Sequence, residues 1–144
     1  MENKLEVSIL IPYKLNNGQV FVFLQKRDSN AKVLPGHFSF FGGKVENGES
    51  LKEALEREIK EELGVVLNNY NFLGTYQSFK DKSITLNVYF TKVNNNFEKE
   101  IKVNEGEYGK FFSESEMLLE SMLIENDKII LKDFYKLLRE KEEL

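Results

Sequence analysis

Cysteine is absent from this chain of 144 residues, which excludes a disulfide framework and a thiolate metal site. The only histidine, His37, has no visible partner for proton transfer and reads as a rim or packing residue. No apolar run approaches the roughly 18 residues needed to cross a bilayer. The start MENKLEVSIL also lacks the long apolar stretch of a signal peptide. These absences predict a cytoplasmic protein with no membrane role. An excess of basic charge is missing too: at a net charge of −4 the chain has no broad means of neutralising the phosphates of a nucleic-acid polymer. A small phosphate-bearing ligand remains compatible, provided a divalent cation screens it from the acidic groups.

What is present describes a packed domain. Hydrophobic residues make up 41% of the chain and charged residues 31%, with twelve Phe and six Tyr, a composition suited to an aromatic interior. The length predicts one domain over residues 1–144. LEVSILIPYK and GQVFVFLQKR read as two strands joined by an Asn-Asn-Gly turn. DSNAKVLPGHFSFFGG is turn-rich at both ends around a short aromatic segment, and reads as a loop, a strand fragment and a second loop on an active-site rim. From Glu49 to Leu63, Leu51, Leu55, Ile59 and Leu63 recur every fourth residue and Gly64 supplies the stop, which predicts a helix. NFLGTYQSF and ITLNVYFTKV, separated by KDKS, predict a second hairpin. The stretch NNNFEKEIKVNEGEYGKFFS reads as polar chain followed by a strand that ends in a glycine turn. Ser113 is placed to cap a short helix, and NDKIILKDFYKLLREKEEL is amphipathic, with Ile130, Phe134, Leu137 and Leu138 on one side. Its charged side leaves both a monomer and a homodimer open. The predicted class is α+β, with helices packed on a mixed sheet.

The central helix carries an unusual crowd of acids. At about 100° per residue, Glu58, Glu61 and Glu62 fall on one side, within an arc that also holds Leu51 and Ala54, so they turn partly toward the protein body. The opposite arc carries Glu53, Glu56 and Lys60, where Glu56 and Lys60 can form a surface pair. Like charges three and four residues apart oppose helix formation, and partial burial increases the cost. Two readings stand at this point: a site for a hard divalent cation, or a plain acidic face.

The wider string favours the first. Gly43, Glu49, Arg57-Glu58-Ile59, Glu61-Glu62 and Gly64-Val65 stand at the spacing G-x5-E-x7-R-E-U-x-E-E-x-G-U, where U is aliphatic. This segment resembles the Nudix box at every fixed position. The resemblance implies a Nudix-type α/β/α sandwich and a Mg²⁺-dependent (or Mn²⁺-dependent) hydrolysis of a nucleoside diphosphate linked to another group, by water attack at phosphorus. It casts Glu58 and Glu62 as leading metal ligands, with Glu61 as a further ligand or water contact and the Gly42 carbonyl as an additional donor. Glu58 is the favoured general base. Glu49 and Arg57 are expected to pair and brace the loop against the helix.

Outside the box, the resemblance suggests three further assignments. An acid on a later loop is expected near NEGEYGKFF; Lys110 stands where that acid is usual, and Glu107 is taken in its place, with Glu105 close by. Lys26 and Arg27, at the end of the second strand, resemble basic positions that contact substrate phosphates. Phe41, where proline is common, gives Phe-Gly-Gly-Lys-Val, which resembles the branch acting on oxidised purine nucleoside triphosphates. Phe38, Phe40 or Phe41 is then available to stack a base, or simply to pack in the core. Hydrolysis of nucleotide sugars, ADP-ribose or dinucleotide polyphosphates, and nucleotide sensing without catalysis, are the rival readings.

Overall fold

The computed structural model describes residues 4–79 and 81–141. Residues 1–3 of the chain start, Lys80 of the expected turn and residues 142–144 of the expected C-terminal helix lie outside the described residues. Strand β1 (Leu5–Asn16) turns back into β2 (Gln19–Lys26) through Asn17 and Gly18, both at positive φ, as a two-residue hairpin loop requires. On its other side β1 runs parallel to β6 (Ile84–Lys92), which pairs antiparallel with β5 (Asn71–Gln77). The sheet is therefore mixed, as expected. β3 (Phe38–Ser39) pairs with β2, and β4 (Phe41–Lys44) pairs with β1, so the segment 38–44 crosses from one to the other beyond the residues where β1 and β2 pair directly. β7 (Tyr108–Phe112) also pairs with β2.

Both faces of this sheet are covered. Alternation along β1 sends Leu10 to one face and Ile9 and Ile11 to the other. On the first face Leu10, Phe23, Phe41 and Tyr89 pack against Leu55, Ile59 and Leu63 of α1 (Leu51–Leu63). On the second, Ile11, Val22, Leu24 and Phe112 meet Met117 of α3 (Glu114–Leu119) and Leu131 and Phe134 of α4 (Glu125–Glu140). Each fully buried Leu, Ile or Phe contributes roughly 1.5–3 kcal/mol. The result is an α/β/α sandwich. Among the described residues no helix is long and apolar enough to cross a membrane.

Several local expectations shift. Helix α1 begins at Leu51 because Ser50 caps it in a capping box with Glu53, which leaves Glu49 in the preceding loop. Glu56 does not pair with Lys60; it accepts a hydrogen bond from the Tyr70 hydroxyl, carried in from the chain leading to β5. The polar stretch after β6 contains a one-turn helix, α2 (Phe97–Glu100), anchored by buried Phe97, and the glycine turn at Gly106 precedes strand β7 instead of ending it.

A buried acid in α4 carries a cost. Asp127 is 7% exposed, and burial pushes its carboxyl up from 3.8 to about 6. Because the folded value lies above the unfolded one, the native state holds the extra proton. The stability linked to this group is complete below pH 3.8 and is lost as pH rises through 6. Urea melts are expected to show Asp127→Asn more stable than the parent by about 2–3 kcal/mol at pH 7, with the advantage vanishing near pH 4.

Candidate active site

The site forms where the loop after β4 meets α1. Gly42 has φ of 131°, and a Cβ there would lie 2.1 Å from the Ser8 carbonyl oxygen of β1, so only glycine lets the two strands approach. Its N–H donates to Glu62 Oε1 at 2.9 Å. At Gly43 the space of the missing side chain is taken by the Glu58 carboxylate, whose atoms stand 2.6–2.8 Å from where a Cβ would be. The two glycines thus press the loop directly onto two acids of the helix.

Arg57 organises the other side. Its Nε and Nη2 donate to both oxygens of Glu49, at 2.7 and 3.0 Å, and Nη2 also reaches the Lys44 carbonyl at 3.1 Å. This fork ties the loop to the helix, and it holds the Glu49 carboxyl down at about 2. Nη1 donates to Glu58 Oε1 at 2.8 Å, with Glu61 Oε2 farther off at 3.5 Å. Arg57→Lys removes the planar fork while keeping the charge. It is expected to weaken Mn²⁺ binding, read by electron paramagnetic resonance, by about 10- to 100-fold.

The three helix acids differ sharply. Glu61 is 60% exposed at its side chain, Glu58 16%, and Glu62 is 2% exposed as a residue. Burial pushes the Glu62 carboxyl up to about 8 against the opposing Gly42 N–H, with repulsion from Glu105 and Glu58 adding to it. Among the described residues no three His, Cys, Asp or Glu side chains form a ready-made metal cluster, and Arg57 holds Glu58 and Glu61 on its own side. The donor chemistry nevertheless fits a hard divalent ion. Carboxylates that repel one another in a partly dry site are what Mg²⁺ or Mn²⁺ would stabilise.

The acid that faces Glu62 from the later loop is Glu105, not Glu107. Backbone bonds from Asn104 N–H to the Glu62 carbonyl (2.8 Å) and from Glu107 N–H to the Lys26 carbonyl (2.8 Å) fix the turn between them. Gly106, at φ of 80°, reverses the chain there, so that Glu105 acts on Glu62 while Glu107 leads into β7.

Lys26 and Arg27 part company. Lys26 is paired with Phe38 in the β2–β3 register and lays its ammonium 4.8 Å above that ring, on the α3/α4 face away from the acids. Arg27 lines a cavity of about 190 Å³ with Gln25, Asp28, Lys32 and Glu105, and its Nε holds the Val33 carbonyl at 2.8 Å. Phe38 and Phe41 are 4% and 0% exposed. Phe41 stacks on Phe23 and Phe38 meets Phe112 edge-on, so both are core residues, and neither is free to stack a base. Phe40, at 8% exposed, joins the same core as Phe38. His37 donates its Nδ1 hydrogen to the Pro35 carbonyl at 3.1 Å, a loop-packing role.

A larger cavity of about 590 Å³ adjoins the first and shares Lys32 with it. Val33 and Leu34 form one wall, Phe79 and Ile84 another, and Asn126 at the start of α4 a third. Val33 and Phe79 are 64% and 65% exposed, an unusual state for large apolar side chains unless something covers them. Leu34 is held at φ of 48°, a conformation leucine rarely adopts. No local signal in the chain marks this cavity, since its walls come from segments about 45 residues apart.

The sandwich thus presents a glutamate helix clamped by two glycines and an arginine fork. A model of the NUDIX domain matches residues 4–136, and the chain belongs to the Nudix family. Nucleoside triphosphatase NudI of Enterobacter sp. (strain 638) is 46% identical over 57 residues, covering 40% of this chain and 39% of that protein. The chain therefore matches about two-fifths of the length of such curated relatives. Among solved structures, the MutT protein from Methanosarcina mazei Go1 superposes with a TM-score of 0.77 at 21% identity, over 94% of this chain and 96% of that one. The NUDIX domain of Shewanella oneidensis NrtR, solved with ADP ribose, gives 0.73 at 17% identity, over 95% and 90%. These two likenesses establish the fold.

Proposed function

We propose that this protein is a single-domain, divalent-cation-dependent hydrolase of nucleoside triphosphates that releases a nucleoside monophosphate and pyrophosphate. One observation carries the reading: a nearly fully buried carboxylate, Glu62, faces two further acids beside a cavity that holds Arg27 and Lys32. Acids and bases converging on one cleft are what a polyphosphate with its cation needs. The local likeness to NudI supports the triphosphate as substrate.

In this reading Glu58, Glu62, the Gly42 carbonyl and Glu105 hold Mg²⁺ or Mn²⁺, with Glu61 at the exposed edge. When bound, such an ion neutralises the phosphates and lowers the pKa of the attacking water. Glu58 would be the group that takes a proton from the attacking water, and Arg57, braced by Glu49, fixes one edge of its carboxylate by bonding Oε1. Arg27 and Lys32 take phosphate oxygens. The base enters the larger cavity, where Val33, Leu34 and Phe79 cover its faces and Asn126 meets a polar edge.

The test is a Mg²⁺-dependent panel of the common and oxidised nucleoside triphosphates, ADP-ribose and diadenosine tetraphosphate, with products resolved by chromatography. Turnover of triphosphates to monophosphate and pyrophosphate is expected. Cleavage confined to ADP-ribose or the dinucleotide would move the substrate class, and binding with no cleavage of any diphosphate derivative would make the protein a sensor.

A further inference from the structure

The chain between β2 and β3 serves both cavities. Lys32 lines the two of them, whereas Arg27 lines only the smaller and Val33 only the larger. Backbone bonds close the neck of this loop: the Arg27 N–H donates to the His37 carbonyl at 2.8 Å, and the Gly36 N–H to the Asp28 carbonyl at 3.1 Å. The Val33 peptide is held by a side chain instead. Arg27 Nε donates to its carbonyl at 2.8 Å, so the guanidinium of one cavity is fastened to the wall of the other. Nη1 and Nη2 make no hydrogen bond or ion pair among the described residues and remain for a ligand.

That wall needs holding. Val33 is 64% exposed, and Leu34 beside it sits at φ of 48°, a backbone state that persists only where the surroundings impose it. A guanidinium with a free fork keeps much of its rotamer freedom, and the Nε bond to Val33 shares in that freedom. A phosphate seated on Nη1 and Nη2 removes it, because a bidentate, charge-assisted pair fixes the whole guanidinium plane. The Nε hydrogen is then fixed as well, and with it the Val33 carbonyl. A ligand entering the larger cavity afterwards meets a wall whose ordering has already been supplied, which raises its affinity.

We propose that Arg27 is a positioning residue that couples the two cavities, so that phosphate bound at its fork strengthens base binding at the Val33–Leu34 wall. The inference rests on the assignment of the smaller cavity to phosphate and of the larger to the base. Coupling of this kind is reciprocal: a base in its cavity strengthens phosphate binding by the same factor. A nucleotide carrying both groups engages both cavities, and a bare nucleoside forgoes the gain.

The experiment separates the two halves of the substrate. Equilibrium dialysis measures binding of guanosine, adenosine, cytidine, uridine and ribose to the full chain, with and without saturating magnesium pyrophosphate. The parent is expected to bind at least one nucleoside better than ribose, and pyrophosphate to raise that affinity about fivefold or more. Arg27→Lys keeps the charge but has no second donor on its stem, and the factor should fall toward one. Lys32→Gln weakens pyrophosphate binding while leaving the Arg27–Val33 bond in place, and at saturation it should retain the factor. A factor that survives in Arg27→Lys, or that Lys32→Gln abolishes equally, assigns the effect to charge or to phosphate contact and overturns the positioning role. A factor of one in the parent overturns the coupling and leaves the base cavity standing. If no nucleoside binds better than ribose, the cavity assignment falls and the inference with it.

Discussion

Glu62→Gln is expected to abolish Mg²⁺-dependent turnover, by about 10³-fold or more, while making the metal-free protein more stable near neutral pH. The two effects have one origin. Glu62 is the most buried acid of the site, and burial together with Glu105 and Glu58 raises its carboxyl from 4.5 to about 8. A folded value above the unfolded one means that the native chain binds more protons between those two pH values. The associated stability is complete below pH 4.5 and is lost progressively as pH rises through 8, on the order of 5 kcal/mol in total. Glutamine cannot ionise, so across that window the variant should lose only the share that belongs to Asp127, below pH 6, and stay flat from pH 6.5 to 8 where the parent still declines. The same carboxylate must be ionised to hold a cation. Mn²⁺ binding at pH 7 should therefore release about one proton per ion in the parent and markedly less in Glu62→Gln. A loss of roughly 4 kcal/mol of transition-state stabilisation corresponds to the expected 10³-fold. Unchanged turnover in the variant would remove Glu62 from the metal site, and a parent stability that does not vary between pH 5 and 8 would remove its burial cost.

Much of this arrangement is legible in the chain, and the parts that are not share a physical reason. The hairpins, the glutamate helix and its glycine stop are local: each depends on residues within about 15 positions of one another. The Glu49–Arg57 brace is legible because eight residues separate a loop acid from a helix base. Other features depend on the layer a side chain faces. Lys26 and Arg27 are adjacent, but strand alternation sends Lys26 over Phe38 and leaves Arg27 with the cavity. Phe38 and Phe41 look available in a rim segment, yet a sheet covered on both faces buries them in opposite cores. Choosing Glu105 over Glu107 required the positive φ of Gly106 and the backbone bond from Glu107 to Lys26. Asn126 and Phe79 meet only through the fold, and nothing near either residue in the chain announces a shared wall.

The paired glycines allow placement of the site to be separated from stability of the fold. Gly42→Ala is expected to destabilise the protein by about 3 kcal/mol or more, since the new methyl would stand 2.1 Å from a backbone oxygen and 2.7 Å from the Ile9 Cα. Neither atom can withdraw without breaking the β1–β4 pairing at Ile9 and Gly42. At Gly43 the obstacle is different, for all three nearest atoms belong to the Glu58 carboxylate, the free end of a flexible side chain. Glu58 can swing aside, giving up its seat against the loop and its bond from Arg57. Gly43→Ala should therefore melt within about 1 kcal/mol of the parent, yet lose Mn²⁺ affinity and turnover by about 10²-fold. Urea melts and Mn²⁺ titration of the two variants read these outcomes independently. Equal destabilisation by both substitutions would show that Glu58 is rigidly held by its surroundings. Full activity in Gly43→Ala would show that contact between this carboxylate and the loop is not needed for catalysis.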